Sequence, residues 1–215
     1  IDMNWARQYW YPGQEGVQQD ADLSGGKNNP YFVAYEQINT LDRDRAYGNT
    51  ALNLHLYKGL DLMIRGGMDF SRDLRTSRHP KSSYSYKYGM YNETELSSLQ
   101  LSGDFLLKYD RKLGAGFNLT ANLGGSIINR SFVQTIMTAE QLKQPGIYSL
   151  ANSVNRIKTD NYSYERQTNS IYGLVSLSWR DAVYLDITGR NDWSSTLPVN
   201  NNSYFYPSVS ASVLL

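Results

Sequence analysis

Period-two alternation over long runs constrains this chain more than any other feature. Leu60, Leu62, Ile64, Gly66, Met68 and Phe70 alternate with Asp61, Met63, Arg65, Gly67 and Asp69. Successive side chains of a strand point to opposite faces, so this run has one apolar and one polar face. The pattern recurs. Leu52, Leu54 and Leu56 oppose Ala51, Asn53 and His55. Leu99, Leu101, Gly103, Phe105, Leu107 and Tyr109 oppose Gln100, Ser102, Asp104 and Lys108, with Leu106 the exception. Phe117, Leu119, Ala121, Leu123 and Ile127 oppose Asn118, Thr120, Asn122 and Ser126, and Gly124-Gly125 marks a bend or close approach in mid-strand. Similar rows run through 169–179, 182–189 and 204–215. About seven strands result, some of about 11 residues or more, enough to cross a bilayer at a tilt of about 45°. Strands of soluble proteins usually have about 5–6 residues.

The connections alternate in length. Lys58-Gly59, Asp110 to Gly114 and Arg180-Asp181 are tight turns. Between them lie polar stretches at 71–96 and 131–160, read as long loops, and after the last comes 190–203, of intermediate length. Transmembrane barrels have this asymmetry, with short turns on the periplasmic side. An aromatic precedes each short turn, Tyr57, Tyr109 and Trp179, as in an interfacial girdle, although Tyr57 has the wrong parity for a lipid-facing ring. Thr138-Ala139-Glu140-Gln141 matches a capping box and predicts one helical turn before Pro145. Residues 1–42 read as irregular, with Trp5, Tyr9, Trp10 and Tyr11 ahead of Pro12-Gly13, then the breaker-rich run Ser24-Gly25-Gly26-Lys27-Asn28-Asn29-Pro30. The expected division is therefore an extracellular loop region, 1–42, and a partial barrel, 43–215.

Composition narrows the class further. Mean hydropathy is −0.53, low for an apolar core, yet 18 Tyr and 4 Trp exclude a disordered chain. No run approaches the roughly 18 apolar residues of a membrane helix. A net charge of +1 gives no basis for a nucleic-acid partner. The absence of cysteine excludes disulfides, thiolate metal sites and cysteine nucleophiles. The N-terminus lacks the basic and apolar regions of a signal peptide, and Val213-Leu214-Leu215 stops inside a strand pattern, so an excerpt of a longer chain is expected.

Catalytic chemistry finds no grouping. Ser194 and Ser195 lie near Asp192, but no histidine is close in sequence and no GxSxG elbow occurs. His55 and His79 have no metal-ligand spacing, and the glycines form no phosphate-cradling pattern, so no cofactor is expected. On the polar faces, Asp61, Arg65, Asp69, Gln100, Asp104, Asn118, Asn122, Tyr184, Asp186 and Arg190 would project into a wet lumen.

The run from Tyr184 to Val213 includes Gly189-Arg190-Asn191-Asp192-Trp193-Ser194-Ser195-Thr196-Leu197-Pro198. It resembles the barrel signature of SusC-type TonB-dependent transporters, the outer-membrane nutrient importers of Bacteroidetes. Asn29-Pro30-Tyr31-Phe32 with Asp44-Arg45-Ala46-Tyr47-Gly48-Asn49, and Pro145-Gly146-Ile147-Tyr148-Ser149-Leu150, agree with it. The resemblance implies an all-β, antiparallel transmembrane barrel of about 22 strands with a plugged lumen, of which this chain supplies about a third of the wall. It implies a SusD-like surface lipoprotein as lid and energy from TonB through a region outside these residues. The cargo would be a glycan or peptide, and outer-membrane lipid would surround the wall. Trp5, Trp10 and Tyr11 in the first loop, and Arg190, Asp192 and Trp193 in the signature, are the candidate substrate-binding residues. Two other readings compete. One is a soluble β-sandwich that grips carbohydrate through Tyr and Trp loops. The other is a barrel enzyme, for which no catalytic set is present.

Overall fold

The computed structural model describes residues 3–21 and 26–214. Ser24 and Gly25 of the breaker-rich run, and the final Leu215, lie outside the described residues. Seven strands follow one another as neighbours in one sheet, β1 to β7 in chain order. They are β1 (Asn39–Tyr57), β2 (Leu60–Lys81), β3 (Tyr88–Gly114), β4 (Phe117–Ala139), β5 (Lys158–Trp179), β6 (Val183–Ser194) and β7 (Ser203–Val213). Two short helices precede the sheet, α1 (Met3–Ala6) and α2 (Pro30–Glu36). No helix among the described residues is long and apolar enough to cross a membrane.

The register joins the apolar rows across strands. Val175, Leu177 and Trp179 of β5 pair with Ile187, Leu185 and Val183 of β6. Those pair in turn with Val209, Ala211 and Val213 of β7. The face so formed is not covered. Leu101, Ile127, Ile171 and Ile187 are each nearly half exposed. A sandwich would clasp such rows against a second sheet about 10 Å away. No such clasp exists among the described residues, and the soluble β-sandwich reading is withdrawn on that ground.

Strand length departs from the sequence expectation. β6 and β7 have 12 and 11 residues, close to the roughly 9–11 of a membrane strand. β2 to β5 have 22, 27, 23 and 22. The stretch 71–96, expected as a loop, is largely strand, with only 82–87 between β2 and β3. Of the expected loop 131–160, the part 140–157 does separate β4 from β5, and strand takes its two ends. Backbone pairing does not require alternation; alternation appears only where the two faces meet different solvents. Beyond the apolar band both faces meet water, and the ladder continues without its sequence signal. The signature stretch behaves likewise, since β6 runs through Ser194.

The expected helical turn at Thr138–Gln141 is absent. β4 continues to Ala139, and Leu142 bridges Ser153. The Asn92 amide donates to Thr138 Oγ1 at 2.8 Å, so the hydroxyl that would cap a helix serves β3 instead.

The chain divides into two compact units. The wall unit comprises Arg45–Phe70, Ser98–Phe132 and the described residues from Tyr164 onward. The loop-end unit takes the described residues through Asp44, Ser71–Ser97 and Val133–Ser163. The buried apolar side chains among the described residues, Ala6, Phe32, Met90, Ala139 and Leu142, all belong to the loop-end unit. The wall therefore has no conventional core, which explains the low mean hydropathy.

At the short-turn end of the wall, the turns hydrogen-bond to one another. Asp110 N donates to Gly59 O at 2.7 Å and Arg180 N to Gly116 O at 2.7 Å. Arg180 and Asp181 both have positive φ, 55° and 53°, as a two-residue type I′ hairpin requires. The Arg180 guanidinium lies 4.8 Å over the Trp179 ring, and Trp179 adjoins Phe117 with centroids 6.3 Å apart. Trp179 thus stands beside a second ring at the short-turn end. Tyr57 is exposed and joins no ring pair described.

Candidate functional site

The polar face of the wall carries the charged groups, and strand register decides which of them meet. Tyr172 is the cross-strand partner of Arg190, and Ser170 of Asp192. Arg190 Nε donates to Asp192 Oδ1 at 2.8 Å and Nη2 to Ser170 Oγ at 3.1 Å. Its guanidinium sits 5.8 Å from the Tyr172 ring centroid. Tyr172 itself lies against Gly124 of β4: a Cβ there would fall 2.3 Å from Tyr172 Cζ. The mid-strand glycine is thus a seat for a tyrosine ring, and the ring underlies the arginine. Further along the face, Arg65 Nε donates to Asp104 Oδ1 at 2.9 Å. Arg45 makes a two-pronged contact with Asp69 at 2.9 and 2.7 Å. Planar guanidinium forks matched to carboxylates fix geometry better than lysine ammonium groups do.

Of the six candidate site residues, Arg190 and Asp192 meet on the polar face. Trp193 does not join them. It follows Asp192 in the same strand, so its ring belongs to the opposite face, opposite Asn169. There it stands at the far end of the apolar band from Trp179, the position of a second interfacial ring.

Trp10 packs edge-on against the buried Phe32 of α2, with centroids 5.1 Å apart and planes at 80°. Its first role is therefore packing. Trp5 and Tyr11 are exposed. Tyr9 belongs to the same sequence cluster, and the tyrosine that no sequence signal marked is Tyr35. Tyr9 and Tyr31 each lie 6.0 Å from Tyr35 in stacked geometry. Tyr9 Oη donates to Glu36 Oε1 at 3.3 Å. Burial, then the Glu36 charge, raises the Tyr9 pKa and keeps that hydroxyl protonated.

α2 was hidden by its own start signal. Asn29 caps it, accepting from Tyr31 N at 2.9 Å, and Pro30 opens the first turn. Asn at the cap with Pro just inside is a helix start as much as a breaker pair. The cap is itself held. The fully buried Gln19 accepts from Asn29 N at 3.1 Å through Oε1, and its amide donates to Asn28 Oδ1 at 2.9 Å and to the Ser82 carbonyl. In the 140–157 segment, Asn152 plays the same part. Its amide donates to Gln144 O and Ile147 O at 2.8 and 2.7 Å, and its carbonyl accepts from Gln144 N. Tyr148 in that loop lies under the Arg78 guanidinium at 5.0 Å. Residues 29–32 and 145–150, which carried part of the resemblance, thus hold loop architecture, while 44–49 lies within β1.

Two titrating features mark the loop-end unit. Asp73, its side chain almost buried, accepts from Arg43 at 2.6 and 2.7 Å and from Arg75 at 2.8 Å. The Arg43 hydrogen bonds, then that of Arg75, hold its carboxyl well below the usual carboxylate range. His79 lies 4.8 Å from the Tyr86 ring, its Nδ1 buried with no partner among the described residues. Burial lowers its pKa below the ordinary 6.5.

A lowered histidine pKa means that the unfolded chain binds the proton first. The His79 contribution is therefore fully present above pH 6.5, declines as the pH falls below it, and levels off below the folded-state pKa. Corrected for the intrinsic rate, which itself slows as the pH falls, the protection of the 82–90 amides against hydrogen exchange should drop between about pH 7.5 and about pH 5.5. A His79→Leu variant should lose that drop; equal profiles would refute the assignment.

A meander of membrane-length strands, apolar on one face and charged on the other with interfacial tryptophans at both ends of the apolar band, defines the wall of an outer-membrane β-barrel. Comparison with known proteins narrows this. No protein-family model matches the chain. Over 140 residues, 63% of the chain, it is 25% identical to TonB-dependent receptor P26 of Formosa agariphila, covering 14% of that protein. The RagAB peptide transporter shares the fold with a TM-score of 0.78 over 86% of this chain and 21% of that one, at 20% identity. The siderophore receptor PiuA of Acinetobacter baumannii gives 0.51 over 83% of this chain and 30% of that one, at 13% identity. The chain has the barrel fold of a TonB-dependent transporter, and it spans about a seventh of the curated relative and about a fifth of the RagAB chain.

Proposed function

We propose that this chain is part of the wall of a SusC-type, TonB-dependent active importer of oligosaccharides, peptides or other oligomeric nutrients. The observation that carries the reading is the exposed apolar face backed by a charged polar face, on a fold shared with a peptide transporter and a siderophore receptor. In this reading the short turns face the periplasm. Residues 1–42 belong to the extracellular region and 43–215 to the barrel. Trp5, Tyr11 and the tyrosines of α2 are the loop-borne candidates for cargo contact, and Arg190 with Asp192 is the lumenal one. A surface lipoprotein of the SusD type is the lid. TonB engages a region outside this chain. The proteins it is similar to are named as receptors and transporters, and no catalytic step is assigned.

The test is energised uptake. Cells carrying the full-length protein should accumulate labelled oligomers, and dissipating the inner-membrane proton gradient should stop accumulation. Cells lacking it should not accumulate them. Uptake that persists after the gradient is dissipated would indicate a passive pore and overturn the proposal.

A further inference from the structure

Charge on the polar face of the wall is mostly neutralised in place. Arg45, Arg65, Lys108 and Arg190 have Asp69, Asp104, Asp110 and Asp192 as partners. Arg130 and Arg166 do not. Arg130 Nε donates to the neutral Gln100 Oε1 at 2.7 Å, and Arg166 lies 4.2 Å over the Tyr164 ring. Neither has a carboxylate partner among the described residues, and both are exposed. Contacts on either side set Asn129 against Glu165 at 3.2 Å and stack Phe132 on Tyr164 at 5.3 Å. Antiparallel pairing then puts Arg130 and Arg166 on the same face of adjacent strands, within one cross-strand or diagonal step of each other. Glu165 follows Tyr164 directly and belongs to the other face, so it does not neutralise them.

Like charges on neighbouring positions of adjacent strands repel. An unneutralised guanidinium pair beside an aromatic stack is an arrangement that an anion relieves, and guanidinium forks match carboxylates in two-pronged geometry. We propose that Arg130 and Arg166 form an anion clamp for carboxylate groups of the cargo, with Arg166 three residues beyond Asn169, which marks the end of the apolar band with Trp193. This rests on the import reading and adds a preference: the cargo is an acidic oligomer, its carboxylates carried by a peptide or by a uronate glycan.

The test uses the full-length transporter in nanodiscs with four probes: hexaglutamate, hexaglutamine, an oligogalacturonate and a neutral malto-oligosaccharide. The double variant Arg130→Gln, Arg166→Gln should lose about tenfold or more in affinity for one acidic probe and under about twofold for its neutral counterpart. The acidic probe affected names the carrier. The variant should keep heat-modifiable migration and melt no lower than wild type, because the repulsion is gone. Should the double variant not assemble, Arg166→Gln alone is expected to lose part of the same selectivity. Equal affinities of wild type and variant for both acidic probes would overturn the clamp while leaving import intact. Failure of the wild type to bind any of the four would overturn both.

Discussion

Gly59→Ala should destabilise the wall by roughly 3 kcal/mol or more. Gly59 has φ +75°, where an L side chain is strained, and a Cβ there would lie 2.1 Å from the Asp110 backbone carbonyl oxygen. That oxygen cannot swing aside as a side chain could, because the same peptide region is tied down by the bond from Asp110 N to Gly59 O. Two costs therefore add: about 1–2 kcal/mol for a left-handed alanine and about 1–3 for a forced backbone shift. Gly114→Ala provides the control. Gly114 has φ +90° and nothing within 4 Å of a Cβ, so only the first cost applies. Denaturant unfolding of both full-length variants in micelles measures the difference. If Gly59→Ala were no worse than Gly114→Ala, the turn-to-turn contact would not be the constraint argued here.

Phe32→Ala should cost about 3–5 kcal/mol, and the loss should stay in the loop-end unit. Phe32 is fully buried and carries Trp10 edge-on. Its removal leaves a cavity under the segment that presents Trp5, Tyr9 and Tyr11. The wall has no such core to lose, so heat-modifiable migration should persist while proteolysis of residues 3–38 accelerates. Loss of the folded barrel itself would show that the two units are not energetically separable. Unchanged proteolysis would show that the aromatic packing does not hold the loop.

These predictions fall at positions of different visibility. Gly59 was legible as a turn from its place between two alternating runs. The carbonyl that makes alanine intolerable there belongs to Asp110, far along the chain, and no local pattern announces it. Arg190 and Asp192 were singled out from the signature, but Trp193 was grouped with them because the stretch was read as a loop. Once β6 is seen to run through Ser194, parity alone separates the tryptophan from the other two. Arg130 and Arg166 drew no notice, since what distinguishes them is the missing carboxylate of a neighbouring strand.

The sequence by itself determined the membrane band. Between Trp179 and Trp193 the two faces of each strand meet hydrocarbon and water, and that difference is written into every second residue. Only the tertiary structure decided how far the strands continue, which arginines are neutralised, and that an Asn-Pro pair begins a helix. Those depend on contacts between residues distant in sequence, in a region where both faces meet water and alternation carries no information.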